Sequence, residues 1–179
     1  PALRTERLSK RWGSFAAVSD VGLVLEPGAR HALIGPNGAG KTTLINLLSG
    51  ALAPTDGDVW LHGERVTHLP QHARVKRGLA RTFQINTLFP ALTPLEAVVL
   101  AVCERKGVAA RWHRTVAGMR DEIDEARAIL ASLRLERDAD TPTAQLAYGR
   151  QRLLEIGLAL ATRPKLLLLD EPAAGIPTA

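Results

Sequence analysis

Residues 35–43 of this chain read GPNGAGKTT, and that stretch restricts the possible folds more than any other. It fits the pattern G-x-x-x-x-G-K-[ST], a phosphate-binding loop when it lies between a strand and a helix. ARHALIG, residues 29–35, reads as a buried strand running into the loop, and TTLINLLSG follows at helical spacing with Gly50 in the position that ends a helix. Gly35, Gly38 and Gly40 let backbone N–H groups wrap phosphate oxygens, with Pro36, Asn37 and Ala39 completing the turn. The helix that follows adds the positive end of its dipole. In this pattern Lys41 reaches the β- and γ-phosphates, Thr42 offers a hydroxyl to Mg²⁺, and Thr43 continues the first turn.

A second stretch narrows the chemistry. KLLLLDEP, residues 165–172, reads as a fully buried parallel strand ending on two carboxylates. A carboxylate at the end of an apolar strand needs a cation to receive it. Parallel strands present their C-terminal ends to one crevice, so Asp170 can meet the Mg²⁺ held by Thr42. Glu171 is then free to direct a water at the γ-phosphate.

The remaining pattern is of short strands and turns up to about residue 84, and of helices beyond it. VSDVGLVL (18–25), DVWLHG (58–63) and 79–83 read as strands, and 70–77 as a short helix closed by Gly78. Thr93-Pro94-Leu95-Glu96 is a capping box with proline at the first helical position, opening a helix over 95–103. Residues 119–135 carry an apolar stripe at Ile123, Ala126, Ile129, Leu130 and Leu133. LAYGRQRLLEIGLAL (146–160) is helical from Gln151, with Leu153, Leu154, Ile156, Leu158 and Leu160 available for burial. Its entry through Ala147, Tyr148 and Gly149 leaves backbone N–H groups open to a bulky partner. Arg74, Lys76, Arg77 and Arg81 read as a solvated basic face, with contact to phosphate or a membrane partner as the alternative.

Bulk properties exclude several classes. A net charge of +5 is too mild to imply DNA binding, and 4% aromatic residues supply few stacking surfaces for single strands. A lone Cys103, in an apolar run, rules out an internal disulfide framework. No N-terminal signal pattern appears and no apolar run approaches the roughly 18 residues of a membrane span. The expectation is a cytosolic protein or a cytosol-facing subunit.

Together RTFQ (81–84), LFPALTPLEAV (88–98), LAYGRQR (146–152) and LLLLDEPAAG (166–175) resemble the nucleotide-binding subunit of an ABC transporter, most like the ATPases of branched-chain amino-acid importers. The resemblance spans essentially the whole chain. It implies an α/β P-loop (RecA-like) core with an antiparallel β subdomain and an inserted α-helical subdomain. The implied division is 1–84 for the β subdomain and first part of the core, 85–155 for the helical subdomain, and 156–179 for the return to the core. It implies ATP and Mg²⁺ as ligands and a head-to-tail pair of ATPase subunits, identical or paralogous. Transmembrane permease subunits are the further partners, no nucleic acid is expected, and the implied location is cytoplasmic, on the inner face of the cell membrane.

In such a pair Ala147, Tyr148 and Gly149 present backbone N–H groups to the γ-phosphate bound on the partner. Gln84 contacts Mg²⁺ or the attacking water, and Trp12 stacks on adenine, with Phe15 as the alternative. Two features depart from the family pattern: Ala147 stands where serine is commonest, and AAGIPTA (173–179) lacks the usual Asp or Asn after DEP. The family's switch histidine lies beyond Ala179, and none of His31, His62, His68, His72 or His113 fills its place. The chain therefore reads as a shortened copy of the domain. Two alternatives stand beside the importer ATPase: an ATP-binding module with little hydrolysis of its own, and a soluble ABC ATPase of repair or translation type.

Overall fold

The computed structural model describes residues 1–82, 88–108 and 119–169. These fall into two compact units, one comprising 1–80 with 165–168, the other 81–164 with the residues after 168.

The first unit is built on an antiparallel sheet in the order β2-β1-β3-β4, where β1 is Leu3–Trp12, β2 Phe15–Leu25, β3 Asp56–Leu61 and β4 Glu64–Arg65. β1 pairs with β2 and β3 over most of its length, yet it carries no clean alternation. Three register shifts against β2 and one against β3 interrupt it, and Arg7 sits at a φ of 48°. Opposite this break, Gly57 adopts a φ of 83°, and a Cβ there would lie 2.3 Å from the Arg7 carbonyl oxygen. Helix α1 (Lys41–Ser49) packs Leu44 and Leu47 into the core formed by Leu3, Leu8, Val18, Val59 and Leu61. Two short strands, β5 (Leu79–Arg81) and β6 (Leu166–Leu168), form a second sheet and send Leu79 and Leu168 into the same core.

Between β4 and β5 lies helix α2 (Gln71–Val75). Here the expected solvated basic face is corrected. Arg74 is 1% exposed, whereas only Lys76 of the four cations lies in the exposed class. The Arg74 guanidinium donates to the carbonyls of Leu47 and Leu48 (2.8 Å each), Leu69 and Thr67 (3.0 Å each). Those acceptors include the last-turn carbonyls of α1, of which Leu47 also accepts from the Gly50 N–H that ends the helix. Burial pushes the Arg74 pKa down to about 10, so the side chain remains a cation at neutral pH. Arg77 instead pairs with Glu64 at 2.8 Å.

A second correction concerns the stretch before the phosphate loop. Residues 29–34 form no strand and are exposed, Ile34 at 89% and Leu33 at 50%. Their apolar character gives the expected pattern, but a strand exists only where a neighbour accepts its ladder hydrogen bonds. Among the described residues no strand pairs with this stretch. Likewise β6 is only partly buried at Leu166 and Leu167, and Leu169 is 38% exposed, against the expected fully buried strand.

The second unit holds helices α3 (Pro94–Arg105), α4 (Arg120–Ser132) and α5 (Tyr148–Ala161) around Val98, Val102, Ala126, Leu130, Leu135, Leu146 and Leu154. The capping box of α3 is complete: the Thr93 hydroxyl accepts from the Glu96 N–H, and the Glu96 carboxylate accepts from the Thr93 N–H at 2.8 Å. Gly157 of α5 lets that helix approach closely, since a Cβ would stand 3.2 Å from Leu133. Cys103, on α3, is buried.

Glu125 ties three segments of this unit together. It accepts from Arg105 at 2.8 Å and from Arg163, just past α5, at 2.8–2.9 Å, with Lys106 at 3.6 Å. Burial pulls its pKa upward, but the hydrogen bonds and charges of Arg105 and Arg163 outweigh that and hold it below 4.5. A carboxylate with a depressed folded-state pKa contributes stability above its unfolded value, lost as pH falls through the folded value. Glu125→Gln is therefore expected to cost about 1–2 kcal/mol at neutral pH. The difference from the parent should shrink as the pH is lowered from neutral through and below the ordinary carboxylate range. Urea midpoints across that range check both parts.

Candidate nucleotide-binding site

The phosphate loop owes its shape to two glycines in the left-handed region and to contact with β2. Gly38 and Gly40 both have φ of 81°, and Gly40 is the N-terminal boundary residue of α1. A Cβ on Gly40 would stand 2.3 Å from the carbonyl oxygen of Ala17, so only glycine lets the loop lie against that strand. At Gly38 nothing lies within 4 Å, and the restriction there is conformational alone. No side chain caps α1; the Ala39 N–H turns back to the Pro36 carbonyl, and the Leu44 N–H starts the helical ladder on Gly40. This leaves the first-turn N–H groups available to an anion, with no acidic residue in that turn to compete.

Lys41 folds back over the loop. Its ammonium donates to the carbonyls of Gly35 (2.6 Å) and Pro36 (2.8 Å), which hold the charge directly above the turn. Residues 35–39 and Thr42 are exposed, Thr43 half-buried. Loop, lysine and helix terminus thus gather backbone N–H groups and one ammonium at an exposed turn, and this donor set suits a polyphosphate.

The β1–β2 hairpin brings an aromatic surface to the same unit. Trp12 and Phe15 face each other across its two-residue turn, 49% and 63% exposed. They stand only two to five positions along the chain from Ala17, where the hairpin meets Gly40. Exposed aromatics of this size at a strand end are suited to stacking on a planar ring.

In the second unit, α5 opens at Tyr148, three residues earlier than the apolar pattern implies, with Ala147 at its boundary and no side-chain cap. Ala147 and Tyr148 are exposed. Gln151 fixes the entry by donating to the carbonyls of Thr143 (3.1 Å) and Leu146 (3.0 Å). One turn on, Arg152 and Glu155 form an ion pair at 2.7 Å with both side chains 6% exposed, and the Arg152 guanidinium lies 5.8 Å from the Tyr148 ring centroid. The hydrogen bond that Arg152 donates to the Glu155 carboxylate raises the Arg152 pKa above its usual value. The sequence alone gave no sign that these two charges are buried. The one available signal was their i,i+3 spacing, which also fits an exposed pair.

Gln84, Asp170 and Glu171 lie outside the described residues; β6 ends two residues before Asp170. The structure therefore describes the loop, Trp12 and the α5 entry, and not the candidate carboxylates.

A glycine-walled anion receptor at a helix N-terminus, joined to an antiparallel sheet and a separate helical unit, defines a P-loop nucleoside-triphosphate-binding protein. The family model for ABC transporters matches residues 18–174, and the chain belongs to that family. It is 39% identical to the high-affinity branched-chain amino acid transport ATP-binding protein BraF of Pseudomonas aeruginosa and 38% identical to LivG of Escherichia coli K12; each match covers 98% of this chain and 71% of the relative. Among solved structures it is similar to MJ1267, an ATP-binding cassette of an ABC transporter, with TM-score 0.82, 31% identity and coverage of 98% of this chain and 71% of the other. It also resembles the dimeric bacterial ABC transporter cassette MJ0796, with TM-score 0.80, 26% identity, and coverage of 98% and 76%. The core of RecA-like type with its antiparallel and helical subdomains follows from this membership. Among the described residues no helix is long and apolar enough to cross a membrane.

Proposed function

We propose that the chain is the ATP-binding and hydrolysing subunit of an importer for branched-chain or related amino acids. On this reading two copies, or a copy and a paralogue, close around ATP and drive permease subunits at the inner face of the cell membrane. The observation that supports it most is the poised Lys41 above the Gly38–Gly40 turn, in a chain 39% identical to a branched-chain amino acid transport ATPase.

The residues divide the work. Backbone N–H groups from Gly38 to Thr43, with the Lys41 ammonium, grip the phosphates; Trp12, with Phe15 beside it, receives the adenine. Thr42, Gln84 and Asp170 would hold Mg²⁺, which when bound neutralises charge on the phosphate oxygens. Glu171 orients the attacking water and accepts its proton. The N–H groups of Tyr148 and Gly149 complete the site from the other subunit, adding donors that act where charge accumulates on the γ-phosphate.

Glu171→Gln is expected to reduce phosphate release by at least about 100-fold while leaving ATP binding intact. Single-turnover phosphate release with the full chain measures this. Unchanged turnover would contradict the role given to Glu171.

A further inference from the structure

The most unusual group outside the loop is Arg74. It is an essentially fully buried cation whose partners among the described residues are four backbone carbonyls and no carboxylate. A buried guanidinium normally sits opposite an acid, because an uncompensated charge is costly to desolvate. Here the compensation comes from the negative end of a helix. Two of the acceptors, Leu47 and Leu48, belong to the last turn of α1, the helix whose opposite end is the phosphate loop. α1 has no basic residue in its own last turn, so the charge there is supplied by another element. Space for it is reserved: Gly50, with φ of 79°, ends α1, and a Cβ at that position would lie 2.6 Å from Arg74 Nε and 3.0 Å from the Leu69 carbonyl.

The consequence at the other end follows from electrostatics. A helix of nine residues is about 14 Å long. Its carbonyl end repels an anion bound at its N–H end, weakly in water and more strongly through a packed core. A formal cation seated on those carbonyls cancels that repulsion and adds attraction of its own. The same four hydrogen bonds tie the far end of α1 to the segment around Thr67 and Leu69.

We propose that Arg74 is a positioning residue for the nucleotide, a buried cation that anchors the distal end of α1 and increases the pull of its N-terminus on phosphate. The proposal rests on the reading of the loop as an ATP site. Its test is calorimetric titration of the full chain and of Arg74→Lys, Arg74→Gln and Arg74→Met with ATP and with ADP, in Mg²⁺-free buffer at fixed salt. Urea midpoints are taken alongside.

All three variants should be less stable, since neither lysine, glutamine nor methionine reaches four carbonyls at once. ATP affinity should separate them. The neutral variants should lose about three- to tenfold, with a smaller loss for the less charged ADP, while Arg74→Lys stays within about twofold of the parent. A merely structural role would weaken ATP and ADP alike and would not spare the lysine variant; either pattern, or no loss at all, overturns the proposal. Should Arg74→Met fail to fold, Arg74→Gln, which keeps amide donors, carries the neutral arm. A parent chain without ATP affinity would overturn the nucleotide reading itself, and the proposal with it.

Discussion

Gly40→Ala is expected to abolish measurable ATP binding and to lower stability by about 2–4 kcal/mol. Two costs combine. Alanine at φ of 81° pays the penalty of the left-handed region, about 1–2 kcal/mol. The new methyl also cannot share space with the Ala17 carbonyl 2.3 Å away, so either the loop lifts from β2 or the strand is displaced. Both movements shift the first turn of α1, and with it Lys41 and the N–H groups that define the receptor. Gly38→Ala separates the two costs, since that position has the same φ and open space around it. It should cost only the conformational part and keep a weakened affinity. Calorimetric titration with ATP, together with urea unfolding of both variants, measures the contrast; equal behaviour of the two would mean that contact with β2 does not shape the loop.

The second large effect is expected in α5. Glu155→Ala removes the carboxylate that faces Arg152 at 2.7 Å and leaves a guanidinium in a site only 6% exposed to solvent. Truncating one member of a buried pair costs about 3–5 kcal/mol, because the remaining charge keeps its desolvation penalty and loses its carboxylate partner. Replacing both residues with apolar ones, Arg152→Met with Glu155→Leu, should recover most of that loss. The pair also holds the Arg152 guanidinium beside the Tyr148 ring at the mouth of the helix. Thermal unfolding of the single and double variants therefore reports the stability of the helical unit. A Glu155→Ala variant as stable as the parent would show that the ion pair contributes nothing there.

How much of this was legible in the sequence depended on whether a feature is local. The left-handed glycines of the phosphate loop, the turn at Gly50, the capping box at Thr93–Glu96 and the stripe of α4 are written in residues a few positions apart, and the structure contains them, whereas the loop's contact with Ala17 on β2 was not legible. β1 was not legible as a strand, because its bulges break the two-residue alternation and place Arg7 at positive φ. Arg74 was misread as solvent-facing, and the burial of the Arg152–Glu155 pair went unread, for one reason. Charge in a sequence signals exposure unless a partner is visible, and their partners are backbone carbonyls from 26 and 27 residues away or a side chain that itself looks exposed. Residues 29–34 were misread in the opposite direction: apolar composition suggested a buried strand, but strand formation requires a pairing neighbour, and none stands beside them among the described residues. At the candidate site, Gly38, Gly40 and Lys41 form the turn that opens α1, and α5 opens at Tyr148, three residues before the helix that the apolar pattern implied.

The central claim is that the bare helix entry at Ala147–Gly149 closes over a triphosphate held by another subunit. Ala147→Asp tests it with effects of opposite sign. An aspartate at the uncapped start of α5 should stabilise the separate chain, by about 1 kcal/mol, by accepting from the free N–H groups. The same carboxylate occupies the donors a γ-phosphate would need, and it repels that phosphate. Sedimentation velocity of the Glu171→Gln chain, with and without Mg-ATP, should show a nucleotide-dependent dimer. Adding Ala147→Asp should abolish that dimer while ATP binding to the single chain persists. A dimer that forms without nucleotide, or that survives Ala147→Asp unchanged, would contradict the account.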